Sequence, residues 1–370
     1  MSDSGFPFLQ HAMPSIKALQ PYVPGKPVEE LERELGIRHS IKLASNENPL
    51  GVSPRVAEVL RQGVAGVARY PDGGGYRLRH RLAQMHGTGE DAITLGNGSN
   101  DVLDMLARVF LGPAAESLFS EYAFAVYPLS SQAVGARLVS APARDYSHDL
   151  EALQALITPQ TRVIWIANPN NPTGTWLARK PLHEFLTRVP ADVIVVIDEA
   201  YFEYVEEPDY PDATEWLGEF PNLVVTRTFS KAYGLAGLRV GYALSHPLVA
   251  DLLNRVRQPF NVNLMAQEAA LAALDDRDFL QRSVAVNRAG MAQLQEGLKA
   301  LEIDWIPSVG NFLTLDLQHN AAEVDRALLQ QGVITRPIAG YGLPNHLRVS
   351  IGLEAENSRF LTALSEVLER

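Results

Sequence analysis

The run Leu223-Val224-Val225, followed by Thr228-Phe229-Ser230-Lys231-Ala232-Tyr233-Gly234-Leu235-Ala236-Gly237-Leu238-Arg239-Val240-Gly241, is the stretch around which the chain is organised. An apolar run of this kind predicts a buried strand. At its end stand a lysine beside a serine, a glycine-dotted turn, and an arginine eight residues beyond the lysine. In open α/β sheets, ligands bind at the carboxyl ends of the strands. Taken alone, Lys231 and Arg239 fit surface cations on a glycine-rich loop as well as an amine and a guanidinium aimed at a ligand. The rest of the chain decides between them.

Upstream, short apolar strands alternate with helical patterns from about residue 54 to 265. Ile93-Thr94-Leu95, Ser117-Leu118-Phe119, Ala136-Arg137-Leu138-Val139, Arg162-Val163-Ile164-Trp165-Ile166 and Val193-Ile194-Val195-Val196-Ile197 are the other strand candidates, and 102–110 reads as a helix. Near-continuous apolar strands separated by helices predict a mostly parallel sheet covered on both faces. The last hundred residues change character. An amphipathic helix is predicted over 279–301. Leu313, Leu315 and Leu317 then alternate with Thr314 and Asp316, as a half-buried strand should. Asn320 and Glu323 resemble a capping pair for a helix ending at Gly332. Leu347-Arg348-Val349-Ser350-Ile351 sets Arg348 opposite its apolar residues, and a final helix carries Phe360, Leu361, Leu364, Val367 and Leu368.

At the other end, residues 1–27 are proline-rich and predict an arm with no helix of its own. A helix follows, with Val28, Leu31 and Leu35 on one face and Gly36 as its stop. Ile41-Lys42-Leu43 reads as a short strand running into a polar turn, where Asn46 and Asn48 fit ordinary turn residues. The predicted organisation is therefore an arm and helix over 1–40, a large α/β domain over 41–265, and a small α+β domain over 266–370.

Composition narrows the function. With 370 residues, 46% hydrophobic and 20% charged, the chain has ordinary globular make-up. A formal net charge of −11 argues against nucleic acid or an anionic membrane as the main partner. Without cysteine there is no disulfide, thiolate zinc site or thiol catalysis. Neither a leader-like N-terminus nor a membrane-spanning apolar run is apparent, so a soluble cytoplasmic protein is expected. The nine histidines show no HExxH spacing, and His80 and His86 in a basic helix read as solvated. No Gly-x-Ser-x-Gly elbow is present.

Four polar clusters fall at predicted strand ends. Gly96-Asn97-Gly98-Ser99-Asn100 opens a helix, where glycines and unpaired first-turn amides suit a phosphate or an ordinary turn. Asn168-Pro169-Asn170-Asn171-Pro172-Thr173-Gly174 is fixed by two prolines and can present a rigid asparagine to a planar ligand. Asp198-Glu199-Ala200-Tyr201 puts a carboxylate at a buried strand end, which is costly unless a cation or several donors meet it. The fourth cluster is the opening stretch. An amine nucleophile, a buried carboxylate and two sets of phosphate donors on one rim fit pyridoxal phosphate: lysine for the imine, aspartate for the pyridine nitrogen, and Ser230, Arg239 and the helix start for the phosphate.

In order, Asn-Pro-x-Asn-Pro-Thr-Gly, Asp-x-Ala-Tyr and Ser-Lys-x-x-Gly-Leu-Ala-Gly-Leu-Arg-x-Gly resemble the class II, fold-type I pyridoxal-phosphate aminotransferases. Lys42-Leu43-Ala44-Ser45-Asn46-Glu47-Asn48-Pro49-Leu50-Gly51, Arg69-Tyr70-Pro71-Asp72, Gly96-Asn97-Gly98-Ser99, Pro21-Tyr22-Val23-Pro24-Gly25-Lys26 and Leu347-Arg348-Val349-Ser350-Ile351-Gly352 narrow the resemblance to histidinol-phosphate aminotransferases. The resemblance runs from about residue 20 to the end. It implies a fold-type I architecture, with a large domain built on a mostly parallel sheet flanked by helices and a smaller α+β C-terminal domain. It also implies transamination between L-histidinol phosphate and 2-oxoglutarate, giving imidazole-acetol phosphate and glutamate in histidine biosynthesis.

The resemblance further implies roles for single residues. Lys231 would be the Schiff-base lysine and proton shuttle, with Asp198 on the pyridine nitrogen and Asn171 and Tyr201 on the ring's 3-oxygen. Gly98, Ser99, Asn100, Thr228, Ser230 and Arg239 would bind the cofactor phosphate. Tyr122 would stack on the ring, and Tyr70 would reach a phosphate across a homodimer interface. Arg348 would grip the glutamate carboxylate, with Tyr22, Asn46 and Arg336 toward histidinol phosphate. Many relatives carry an acidic pair where this chain has Asn100-Asp101. Aromatic aminotransferases and a threonine-phosphate decarboxylase share nearly the same cofactor set. A non-catalytic cofactor-binding regulator is a third reading, for which the chain lacks a basic DNA-binding segment.

Overall fold

The computed structural model describes residues 7–22 and 24–369. Residues 1–6, on which the reading of the N-terminus as lacking a leader rests, and Val23 of the Pro21–Lys26 stretch lie outside the described residues. Seven strands form the central sheet: β1 Ile93–Gly96, β2 Glu116–Ser120, β3 Arg137–Ala141, β4 Thr161–Ala167, β5 Ile194–Asp198, β6 Leu223–Thr228 and β7 Gly241–Ser245. Their spatial order is β1-β7-β6-β5-β4-β2-β3. Only β7 runs against its neighbours, pairing antiparallel with both β1 and β6. β7 has no counterpart among the predicted strands, because its glycine and serine ends break the apolar run.

Strand alternation builds two cores. Val163, Trp165, Ile194, Val196 and Val224 face helix α1 (Ser99–Phe110) and helix α2 (Val126–Ala133). Ile164, Ile166, Val195, Ile197 and Val225 face the opposite layer, with Leu182, Phe185 and Trp216. Every one of these strand residues is less than 9% exposed, as a sheet covered on both faces requires.

The C-terminal part carries a second, antiparallel sheet: β8 Asp304–Ile306, β9 Phe312–Asp316, β10 Arg336–Ile338 and β11 Leu343–Ser350, in the order β8-β9-β11-β10. The helices Arg277–Ala300 and Glu354–Leu368 cover it with Leu294, Leu298, Phe360 and Leu364. β9 is not half-buried as its alternation predicts. Thr314 is fully buried, because the loop after β4 covers that face and Pro172 O accepts the Thr314 hydroxyl.

Ile41–Lys42 pairs in parallel with Val333–Ile334, so this strand hydrogen-bonds to the C-terminal part and not to the seven-stranded sheet. The arm does contain a helix of its own, Pro14–Ala18, started by a proline in the first turn, where a missing N–H costs nothing. His86 also departs from its solvated reading. It is half-buried against the Tyr242 hydroxyl at 3.1 Å, and burial pulls its pKa down to about 4. Among the described residues, no helix is long and apolar enough to cross a membrane.

Candidate active site

The parallel strands β4, β5 and β6 end side by side, and their C-terminal loops close around one cavity. Lys231, Asp198, Asn171 and Tyr201 line it, as do Ser99, Asn100, Thr228, Ser230 and Arg239. Tyr22, Asn46, Arg336 and Arg348 complete the predicted set within it. Residues from both sheets and from the arm thus share one space.

Lys231 Nζ donates to Ser45 O at 3.0 Å. Burial, reinforced by the Arg348 and Arg239 cations, pulls its pKa down to about 7, so near neutrality a large share of the amine is uncharged and nucleophilic. Asp198 Oδ2 accepts from the Tyr127 hydroxyl and Oδ1 from Thr226 Oγ1, each at 2.9 Å. Burial raises the Asp198 pKa, and these neutral donors oppose the rise. A carboxylate held this way retains acceptor capacity for a further N–H.

The Tyr201 hydroxyl accepts from Asn46 Nδ2 at 2.9 Å, and burial lifts its pKa to about 12. Asn46 is therefore no ordinary turn residue. It takes a positive φ of 54° and exchanges bonds with Ser350 through its backbone N–H and Oδ1. Asn48 likewise ties the loop down, donating to Ala232 O and Ser283 Oγ at 2.8 Å each. Asn171 lies between two cis prolyl bonds, Asn168-Pro169 and Asn171-Pro172, and its Oδ1 accepts from Arg348 Nη1 at 2.5 Å. Arg348 Nη2 donates to Ala44 O at 2.7 Å, while its buried Nε has no partner. A buried guanidinium with a spare donor suits a carboxylate that enters the cavity.

A cradle for an anion is built from close backbone approach. Gly98 has φ +79°, and a Cβ there would lie 2.5 Å from Arg239 Nη2. A Cβ on Gly241 would lie 2.4 Å from Ser99 N, the first residue of α1. Two glycines thereby let a guanidinium and a helix N-terminus meet at one spot, beside Ser230, whose Oγ lies 3.5 Å from Arg239 Nη1. Asp101 points elsewhere, accepting from Asn97 N at 2.9 Å and Asn261 Nδ2 at 2.7 Å.

Three predicted residues do not line this cavity: Gly98, which abuts it through Arg239, and Tyr122 and Tyr70, which pack elsewhere. Tyr122, expected to stack on a ligand ring, packs against Tyr146 with centroids 5.9 Å apart, and its carbonyl accepts from Asn170. The chain turns after β2, so it is Phe124 that lines the cavity. Tyr70 is 82% exposed and stacks on Phe260 at 4.6 Å, away from the Lys231 cavity. Tyr127, Thr226, Phe124 and Tyr341 were not foreseen from sequence, although Tyr341 also lines the cavity. The spacing of Phe124 and Tyr127, one helical turn apart just beyond a buried strand, was the available signal. No group of three or more metal-ligating side chains occurs among the described residues.

The family model for aminotransferase class I and II matches residues 38–364. The chain is 58% identical over 363 residues to histidinol-phosphate aminotransferase 2 of Pseudomonas aeruginosa, covering 98% of each chain. It is 55% identical over 363 residues to the histidinol-phosphate aminotransferase 2 of Methylococcus capsulatus, covering 96% of this chain and 98% of that one. The crystal structure of histidinol-phosphate aminotransferase from Sinorhizobium meliloti in complex with pyridoxal-5'-phosphate matches with a TM-score of 0.90 at 29% identity, covering 100% of this chain and 99% of that one.

Proposed function

This chain belongs to the class I and II aminotransferases, and from that premise we propose that it transfers an amino group between L-histidinol phosphate and 2-oxoglutarate, with pyridoxal 5'-phosphate as cofactor. The products are imidazole-acetol phosphate and L-glutamate, a step of histidine biosynthesis. The observation that carries this reading is one cavity shared by an amine of lowered pKa, a buried carboxylate met by neutral donors, and the guanidinium groups of Arg336 and Arg348. The high identity to relatives of that name supports the substrate.

The donor set fits the cofactor: a glycine-built anion cradle, a carboxylate with room for an N–H, and an amine whose pKa burial draws down to about 7. Bound there, pyridoxal phosphate supplies an aldehyde for amines and a ring that spreads the electrons of a broken C–H bond. Lys231 would hold the cofactor through Nζ, and the same amine would carry the substrate proton. Asp198 would keep the ring nitrogen protonated, while Asn171 and Tyr201 would bond the 3-oxygen. Ser99, Asn100, Thr228, Ser230 and Arg239 would hold the phosphate, with Gly98 leaving room for Arg239. Tyr122 would stack on the ring, and Phe124, which lines the cavity, would offer a second ring face there.

Arg348 receives the glutamate carboxylate through its guanidinium fork. Tyr22, Asn46 and Arg336 serve histidinol phosphate, with the Arg336 guanidinium 5.6 Å from the Tyr22 ring centroid. The protein acts as a homodimer in which Tyr70 reaches the partner's cofactor phosphate. Its exposure together with that of Phe260, Val64 and Val67 supports an interface there. Mixing Tyr70→Ala chains with Lys231→Ala chains restores activity if Tyr70 serves the partner's site, and fails to if it serves its own.

The test of substrate is a competition on the loaded enzyme among histidinol phosphate, phenylalanine and threonine phosphate, read as the rate of bleaching in the visible. Histidinol phosphate is expected to be fastest. Faster bleaching by phenylalanine makes the enzyme an aromatic aminotransferase, and release of carbon dioxide from threonine phosphate makes it a decarboxylase. No spectral change with any amino donor sinks the transaminase reading.

A further inference from the structure

Asp198 does not orient itself. Its two oxygens are fixed by two hydroxyls of different character, Thr226 on the adjacent strand and Tyr127 on α2. Tyr127 is fully buried and held at both ends. Its ring stacks on Trp165 with centroids 5.3 Å apart and planes 10° apart. Trp165 is itself anchored, donating from Nε1 to Ser117 Oγ at 2.8 Å. Ser117 bonds Ser131 Oγ at 2.7 Å, and Ser131 Oγ donates to the carbonyl of Tyr127 at 2.7 Å. Backbone and ring of one tyrosine are thus tied into a single buried loop of contacts. The same segment supplies Phe124, whose ring meets Tyr127 edge-on at 5.7 Å and 83°.

We propose that Tyr127 is a positioning residue for the cofactor: its phenol keeps the Asp198 carboxylate ionised and turned toward the pyridine nitrogen. The inference rests on the reading that Asp198 pairs with that nitrogen. A buried carboxylate without donors tends to take up a proton, and a protonated carboxyl no longer favours a charged pyridinium. One hydroxyl bond to each oxygen favours the ionised form and leaves acceptor capacity on each for the ring N–H. Burial pushes the Tyr127 pKa well above its ordinary value, so the phenol remains a neutral donor throughout the working range. Stacking on Trp165 restricts any swing that would break the bond.

The experiment compares two ligands on the apo-chain: pyridoxal phosphate, and its analogue with a C–H in place of the ring nitrogen. Equilibrium dissociation constants are measured for the wild type, Tyr127→Phe and Trp165→Phe. The wild type is expected to prefer the nitrogen-bearing cofactor. Tyr127→Phe keeps the stacked ring and loses one hydroxyl, so affinity for pyridoxal phosphate should fall about tenfold or more, as for hydrogen bonds to charged groups. Affinity for the analogue should change by less than about twofold, since no ring N–H is present to read the carboxylate. Trp165→Phe leaves the phenol but loosens its support, and should produce a smaller fall in the same ratio.

Equal losses for both ligands reduce Tyr127 to packing and overturn the proposal. An unchanged ratio in both variants overturns it too. A wild type that does not discriminate between the ligands overturns the pairing of Asp198 with the ring nitrogen, a different failure and visible before any variant is made.

Discussion

Asp198 and Glu199 are adjacent carboxylates at the end of β5, both buried, and they face opposite layers of the sheet. Asp198 faces the cavity and the Tyr127 side, where its donors are neutral. Glu199 faces the other layer, where Arg227 donates to its Oε2 from Nε at 2.9 Å and Nη2 at 2.7 Å. Ala213 N–H serves Oε1 at 3.0 Å, and Arg227 also reaches Asp212 at 2.7 Å and lies 3.5 Å from the Phe202 ring centroid. Burial raises both carboxyl pKa values, Glu199 to about 7, although Arg227 pulls against that rise. The difference lies in the partner. A carboxylate already given a guanidinium is neutralised and structural, whereas one given only neutral donors is left able to pair with a cationic ligand.

The contrast breaks most readily at Lys231, on the Asp198 side. Lys231→Ala should reduce turnover by about four orders of magnitude or more, since nucleophile and proton carrier are lost together. Folding stability should hold or rise, because burial disfavours the charged amine. Turnover by rapid mixing and a denaturant titration on the same preparation check both halves. Unchanged turnover contradicts the site, and a stability loss of several kcal/mol contradicts the division between the two faces.

A crossed pair of substitutions sharpens it next. Asp198→Asn keeps the shape and removes the charge, so turnover should fall about 10²–10³-fold, as when one preorganised electrostatic group is lost, with stability retained. Arg227→Met should do the reverse. It leaves Glu199 buried without its guanidinium and should cost about 3–5 kcal/mol. The folded fraction should still turn over within a few-fold of the wild type. Urea unfolding and kcat measured per folded molecule separate the two outcomes. The division fails if both variants move the same quantity.

The amine's titration gives a smaller, graded effect. Only the uncharged form of Lys231 captures an aldehyde, and its pKa is near 7. The rate of pyridoxal phosphate uptake by the apo-chain should therefore rise about tenfold per pH unit below 7 and level off above about 8. A lysine near its ordinary value would keep rising toward pH 10. Stopped-flow absorbance from pH 5.5 to 9 distinguishes a plateau from a continuing slope.

Much of this site was legible because the parallel strands deliver their C-terminal residues to one rim, so that contiguous motifs become neighbours without further information. Lys231, Asp198, Asn171 and Arg239 share a cavity for that reason. Contacts set by packing were not legible. The Tyr127 bond to Asp198 depends on stacking over Trp165, and the pairing of Glu199 with Arg227 depends on which face each strand turns to. The pairing of Ile41–Lys42 with Val333–Ile334 spans almost the whole chain and has no local signature. The reversed strand β7 was missed because five mixed residues carry too little periodicity to declare a strand.

The choice between Tyr122 and Phe124 for the ring face is the finest case, and it predicts the smallest effect. Both are aromatic and both follow β2, so composition cannot choose between them. The backbone separates them: Tyr122 turns toward Tyr146, while Phe124 is presented to the cavity just before α2 begins at Val126. An aromatic pair is worth about 0.5–1.5 kcal/mol beyond its buried area, or roughly two- to tenfold in affinity. Phe124→Leu should weaken cofactor binding by about that factor, since leucine keeps the apolar contact and loses the ring face. Tyr122→Leu should weaken it less, by about twofold, because the Tyr122 ring also packs against Tyr146. Equilibrium binding of pyridoxal phosphate to the two apo-variants resolves the difference. A larger loss from Tyr122→Leu would make Tyr122 the main ring face, and would mean that the segment before α2 shifts when the cofactor binds.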